Sequence, residues 1–129
     1  MSKQTKLPQS SKQAPARKQR TTLLTLALII IFLHGLLMFA IFWTVRPEAE
    51  RTWANIAVWL MLFSAAGDMV AAAAMWYWKR WGIYLYGVAA VAAAIVAVMA
   101  SGDLFLLFGA LLPAIIVLYI VAMQRNQFE

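Results

Sequence analysis

A chain of 129 residues that is 64% hydrophobic and only 12% charged excludes a water-soluble domain, which carries about 25% charged and about 45–50% apolar residues. It has no cysteine, which excludes disulfides, thiolate nucleophiles and cysteine-based metal sites and leaves the redox compartment open. The net charge of +6 does not point to nucleic acid: six of the eleven basic residues (Lys3, Lys6, Lys12, Arg17, Lys18, Arg20) precede the first apolar run, with no aromatic residue interleaved as a single-strand platform requires. Such a block reads as a topology signal and a contact for anionic lipid headgroups.

Residues 1–20 are polar, rich in Lys, Gln and Ser, and broken by Pro8 and Pro15. They bury too little apolar surface to offset the entropy of ordering, so they read as a disordered basic tail. The apolar run that follows is about 23 residues long, against 7–15 for the apolar core of a signal peptide, and no A-x-A cleavage site follows it. It is therefore the first spanning helix, 22–45, with Thr21 or Thr22 as N-cap. His34 falls near its middle, followed by Gly35, and Trp43 marks its far interface. In the link Arg46-Pro47-Glu48-Ala49-Glu50-Arg51, Pro47 suits a first helical position, and Glu48 and Glu50 suit the positive end of the helix dipole.

The second helix, 53–78, enters the bilayer at Trp53, carries one acid (Asp68), and ends in Trp76, Tyr77 and Trp78. The basic turn Lys79-Arg80 leads at once into the third helix, 81–100, beginning at Trp81. So short a link makes the two helices antiparallel neighbours. The third helix sorts its residues by size. Tyr84, Val88, Val91, Ile95 and Val98 form one face. Tyr86, Ala90, Ala93, Ala94, Ala97 and Ser101 form a second, mostly small face, which is expected to look into the bundle. The second helix offers Ser64, Gly67, Ala71, Ala72 and Ala74 as its partner surface. Ser101-Gly102-Asp103 is a turn and N-cap before the fourth helix, 104–123, in which Gly109 and Pro113 mark a kink. Residues 125–129 form a short polar tail.

The expected fold is all-α: a polytopic membrane protein with a four-helix antiparallel bundle over 21–124. Four spans put the 1–20 tail, the turn at 79–80 and the 125–129 tail on one side, with nine basic residues against two, Arg46 and Arg51, on the other. The excess of Lys and Arg stays cytoplasmic, so both termini are expected to face the cytoplasm.

Asp68 is the strongest candidate for a working residue. An ionised carboxylate in the hydrocarbon costs on the order of 2.5–3.5 kcal/mol on insertion scales, so it must be protonated, paired or in contact with a wet cavity. A proton- or cation-coupling site is one reading. The structural alternative is a protonated acid hydrogen-bonded to Ser64, one turn earlier, or to a neighbouring helix. His34, the one histidine, lies at a similar depth at about 1.5 Å of rise per residue. An imidazole–carboxylate pair acts as a proton relay, whereas a neutral histidine hydrogen-bonded in the bundle is structural. Haem would need histidines from two chains, and too few ligands exist for another metal, so no cofactor or metal is expected. The cluster Trp76, Tyr77, Trp78, Trp81 and Tyr84 around Lys79 and Arg80 resembles a quaternary-ammonium pocket. A lipid-interface belt explains the same residues more simply, and Trp43 and Trp53 belong to it at the other face. No phosphate loop, catalytic triad or H-E-x-x-H is present, so an enzyme is not expected.

The stretch Ala71–Gly87, AAAAMWYWKRWGIYLYG, resembles small bacterial inner-membrane proteins of uncharacterised role, in which an Ala-rich helix meets a tryptophan–basic turn and a second Ala-rich helix. The resemblance covers helices two to four. It implies a four-helix inner-membrane protein and carries no activity with it. Small multidrug transporters have similar length and span count, but they carry an essential glutamate in helix one, and this first helix has no acid. Colicin-immunity and holin-like proteins share only size and number of spans. Two functions are therefore open, the first the expected one and the second its alternative. One is a non-catalytic scaffold or accessory subunit, binding other membrane proteins or its own copies through alanine faces; the other is a small proton- or cation-coupled transporter using Asp68, with His34. A hydrated pocket reaching Asp68 favours the transporter, and a dry, sealed Asp68 favours the scaffold.

Overall fold

The computed structural model describes residues 18–44 and 53–129. Four helices follow one another: α1, Thr22–Thr44; α2, Trp53–Trp76; α3, Arg80–Ser101; and α4, Phe105–Ala122. A short 3₁₀ turn, Arg125–Gln127, comes last. They hold 23, 24, 22 and 18 residues, spanning roughly 27–36 Å at about 1.5 Å per residue. All four are long and apolar enough to cross a membrane, and the chain is an all-α membrane-spanning bundle. The expected disordered tail before residue 18, and the link containing Pro47, Glu48 and Glu50, lie outside the described residues.

Each helix end has a local cause. Thr21 Oγ1 accepts the Leu24 N–H at 3.2 Å, the expected N-cap of α1. α2 stops at Trp76, two residues before the expected end, because Trp78 takes the left-handed conformation at φ 61°. The Trp78 N–H then donates to the Met75 carbonyl at 3.0 Å and the Lys79 N–H to the Ala74 carbonyl at 2.9 Å. That pairing is the Schellman arrangement, here with a tryptophan where glycine is usual. Gly102, at φ 71°, ends α3 by donating its N–H to the Val98 carbonyl. Asp103 Oδ1 then accepts the Phe105 N–H at 2.8 Å, as the turn at 101–103 leads one to expect. α4 runs through Pro113 as one helix.

Small residues set the helix spacing. A Cβ on Gly82 of α3 would lie 2.8 Å from Ala74 Cβ and 2.9 Å from the Ala71 carbonyl of α2. A Cβ on Gly35 of α1 would lie 2.9 Å from the Ala65 carbonyl and 3.2 Å from Asp68 Cβ. With no hydrophobic effect between helices in lipid, such close approach supplies the packing attraction. The size sorting of α3 is realised. Tyr86 and Ala94 are buried in the bundle, whereas Tyr84, Val88, Val91 and Ile95 face outward; Ser101, at the helix end, is exposed.

Successive helices pack on one another, while α1 and α4 touch much less. Where those two do meet, at the end carrying both termini, Gln124 Nε2 donates to Thr21 Oγ1 at 2.6 Å and the Gln19 N–H to Gln127 Oε1 at 3.0 Å. This terminal end holds the largest fully buried side chains, Phe128, Leu24, Leu28, Met75 and Val121.

Candidate functional site

The site forms where α1 and α2 cross. Gly35 brings α1 against the Ala65 carbonyl and the Asp68 side chain of α2, and its neighbour His34 is thereby set beside the carboxylate, with His34 Nδ1 3.9 Å from Asp68 Oδ2. That separation is within ion-pair reach but too long for a hydrogen bond. The Asp68 side chain is 13% exposed and that of His34 56%. Asp68 Oδ1 is buried and accepts no hydrogen bond from any described protein group.

Ser64 does not serve Asp68. Its hydroxyl donates across to the Ala89 carbonyl of α3 at 2.8 Å, so the expected intrahelical partner of the acid is committed to joining α2 to α3. No hydrogen bond joins Asp68 to Ser64 among the described residues.

Asp68 and His34 both line a cavity of about 310 Å³ to which all four helices contribute. Met38 and Phe42 come from α1, Ser64 and Ala65 from α2, Ala90, Ala93 and Ala97 from α3, and Gly109, Ala110 and Pro113 from α4. The small residues of α3 and the Gly109–Pro113 segment leave this space between helices that are tightly joined elsewhere. It runs from mid-bundle towards the end remote from the termini, where neither α1 beyond Gly35 nor α4 before Ala114 has a buried residue. Tyr86 of α3 also lines it. Its place there follows from the antiparallel register of α2 and α3, and the sequence signal for it was the one large polar-tipped residue on an otherwise small face. Among the described residues no third His, Asp or Glu joins Asp68 and His34 in a metal-binding group.

The aromatic and basic residues divide into two sets. Trp43 and Trp53 lie at the remote ends of α1 and α2, and Trp76 and Trp81 at the terminal ends of α2 and α3, all with substantial outward exposure. Trp78, expected with them at the lipid interface, is instead turned inward, 9% exposed. Its left-handed backbone points the indole beneath the chain end, where the Phe128 ring meets it edge-on at 5.1 Å and 69°. Arg80, expected to contact headgroups, donates through Nε to the Phe128 carbonyl at 2.8 Å and through its backbone N–H to the Glu129 carbonyl at 2.8 Å. Lys79 remains exposed. Arg20 lies over the Trp76 ring at 4.3 Å and donates to the Trp76 carbonyl, satisfying a carbonyl at the negative end of α2.

The fold and site define a small four-helix membrane-spanning protein with a carboxylate–imidazole pair facing an internal cavity. The chain matches no protein-family model, no curated protein and no solved structure.

Proposed function

We propose that the protein is a small proton- or cation-coupled carrier of the bacterial inner membrane, with both termini cytoplasmic, in which Asp68 exchanges a proton and His34 assists it. The observation that carries this reading is the cavity itself: Asp68 borders an internal space with one oxygen unpartnered. A carboxylate kept for structure alone is best served by a hydrogen-bond donor, because an unpaired buried acceptor costs about 1–3 kcal/mol. Here no described group donates to its Oδ1, and the Ser64 hydroxyl one turn away gives its proton to the Ala89 carbonyl.

The accessory-subunit reading depends on small-residue faces being left for a partner. Ala71, Ala72, Ala74, Ala89 and Ala94 are buried within this chain, and the outward faces carry large apolar side chains that lipid itself covers. That distribution favours a bundle built around its own interior. Cytoplasmic termini rest on the nine-to-two asymmetry of basic residues, and a reporter fused after Gly102 is expected to read periplasmic.

Infrared titration of the reconstituted protein tests the coupling role. The carboxyl band that disappears in Asp68→Asn is expected to respond to bulk pH and to shift its response in His34→Gln. A band indifferent to bulk pH across the whole accessible range means that Asp68 is sealed, and the carrier reading fails.

A further inference from the structure

The chemistry of the cavity narrows what it takes, on the reading that Asp68 is a coupling site. Of the described residues lining it, the titratable ones are Asp68 from α2, His34 from α1 and Tyr86 from α3, and α4 supplies none. Asp68 is the only acid among them. An anion is therefore disfavoured, and a dication would be left half-compensated in a medium of low dielectric constant. Inorganic cations fit poorly as well. A metal ion of this kind needs about six to eight oxygen ligands to replace its water, and the walls are otherwise alanine, methionine, proline and branched aliphatic side chains. Such walls reward apolar surface, at about 25 cal/mol per Å² removed from water. Phe42 and Tyr86 add aromatic side chains to the lining, a residue type that attracts a diffuse positive charge. The volume of about 310 Å³ is at the small end of the range for organic ligands.

We infer that the cavity binds a singly charged organic cation with an apolar body, its charge beside the Asp68 carboxylate that borders the space and its body against the α3 and α4 walls. No covalent step is involved. Cation and proton compete for one carboxylate, so binding of one displaces the other. Affinity then falls as pH is lowered through the range in which Asp68 takes up its proton.

Three probes separate charge from shape: benzyltrimethylammonium, its neutral isostere neopentylbenzene, and tetramethylammonium, which has the charge without the ring. Binding is measured by equilibrium dialysis on the full chain in lipid nanodiscs, with proton release followed in weak buffer. Benzyltrimethylammonium is expected to bind at least tenfold tighter than either control, releasing protons as it does. Asp68→Asn is expected to lose at least tenfold in affinity. Ala93→Phe, which fills the space and leaves the carboxylate in place, is expected to lose a similar amount. Helical content by circular dichroism identifies any variant that misfolds, and the wild-type comparison of the three probes stands without the variants. Equal binding of the neutral isostere overturns the inference, as does cation binding that survives both substitutions in folded protein. Failure of the cation to bind while the Asp68 band still responds to pH removes the ligand class alone. Failure of both removes the coupling reading with it.

Discussion

At the end of the bundle where the termini meet, Leu24, Met75, Val121 and Phe128 are all buried to 2% exposure or less. At the other end, no described residue of α1 after Gly35 and none of α4 before Ala114 is buried. The same four helices thus supply a dense end and a loose one. The dense end is held by contacts from outside the spans: Phe128 under Trp78, the Glu129 N–H donating to the Trp78 carbonyl at 2.8 Å, and Arg80 on the Phe128 carbonyl. The loose end keeps buried contacts on α2 and α3, at Leu62, Ala94 and Val96, while α1 and α4 border the cavity there. The dense contacts and the cavity are therefore placed in different halves, which suits the proposed binding role, since elements that bind are drawn from the less tightly packed regions.

The largest effect should come from removing the ring that closes the dense end. Phe128→Ala leaves Trp78 without its edge-on partner, and such truncations cost about 3–5 kcal/mol in well-packed cores. A lowered thermal midpoint in detergent is expected, with a red shift in tryptophan emission as Trp78 becomes exposed. An unchanged midpoint would show that the chain end does not brace the bundle. Gly82→Val tests the α2–α3 contact in the same half. Its side chain meets the Ala71 carbonyl and Ala74 Cβ within 3 Å, so the helices must part at a cost of about 1–3 kcal/mol, read as a lower midpoint and faster amide exchange in α2.

These two predictions differ in how far the sequence foretold them. The four spans were legible because each is a long apolar run, and the inward face of α3 was legible because size segregates along it. Asp68 and His34 were legible as rare polar residues at matching depth. The docking of Phe128 was not. It lies in a stretch that reads as a polar tail, and its partner Trp78 is far away in the chain, in a cluster whose composition suits a lipid interface equally well. The choice between interface and core was made by the left-handed turn at Trp78, a conformation a tryptophan seldom takes and which nothing local announces. The bond from Ser64 to Ala89 was hidden for a related reason: only the packed register brings that carbonyl within reach.

Smaller effects mark the edges of the comparison. Ser64→Ala removes a single interhelical hydrogen bond, worth about 0.6 kcal/mol on average in a membrane bundle. It should barely move the thermal midpoint and should leave Asp68 titration intact, whereas a large change would mean that Ser64 positions the acid. Smallest of all is the surface pair of Lys18 and Glu129. The hydrogen bond from Lys18, with its charge, holds the Glu129 carboxyl below the usual carboxylate range. A lowered carboxylate value contributes stability that is present above the ordinary range and is lost as pH falls through the lowered one. Glu129→Gln should therefore lower the midpoint slightly at neutral pH, where the pair is charged, and change nothing at acid pH below the lowered range, the effect being small because exposed pairs are worth little.

The contrast between the two halves can be tested directly because the chain has no cysteine of its own. Single cysteines placed at Ala93, in the cavity wall, and at Ala71, fully buried between α2 and α3, are exposed in lipid vesicles to a charged, membrane-impermeant thiol reagent. Rapid labelling at Ala93→Cys and none at Ala71→Cys is the predicted result, with labelling at Ala93→Cys slowed by benzyltrimethylammonium. Silence at both positions, in protein that labels fully once denatured, would contradict the account: the space beside Asp68 would then be closed to water, and no carrier could work through it.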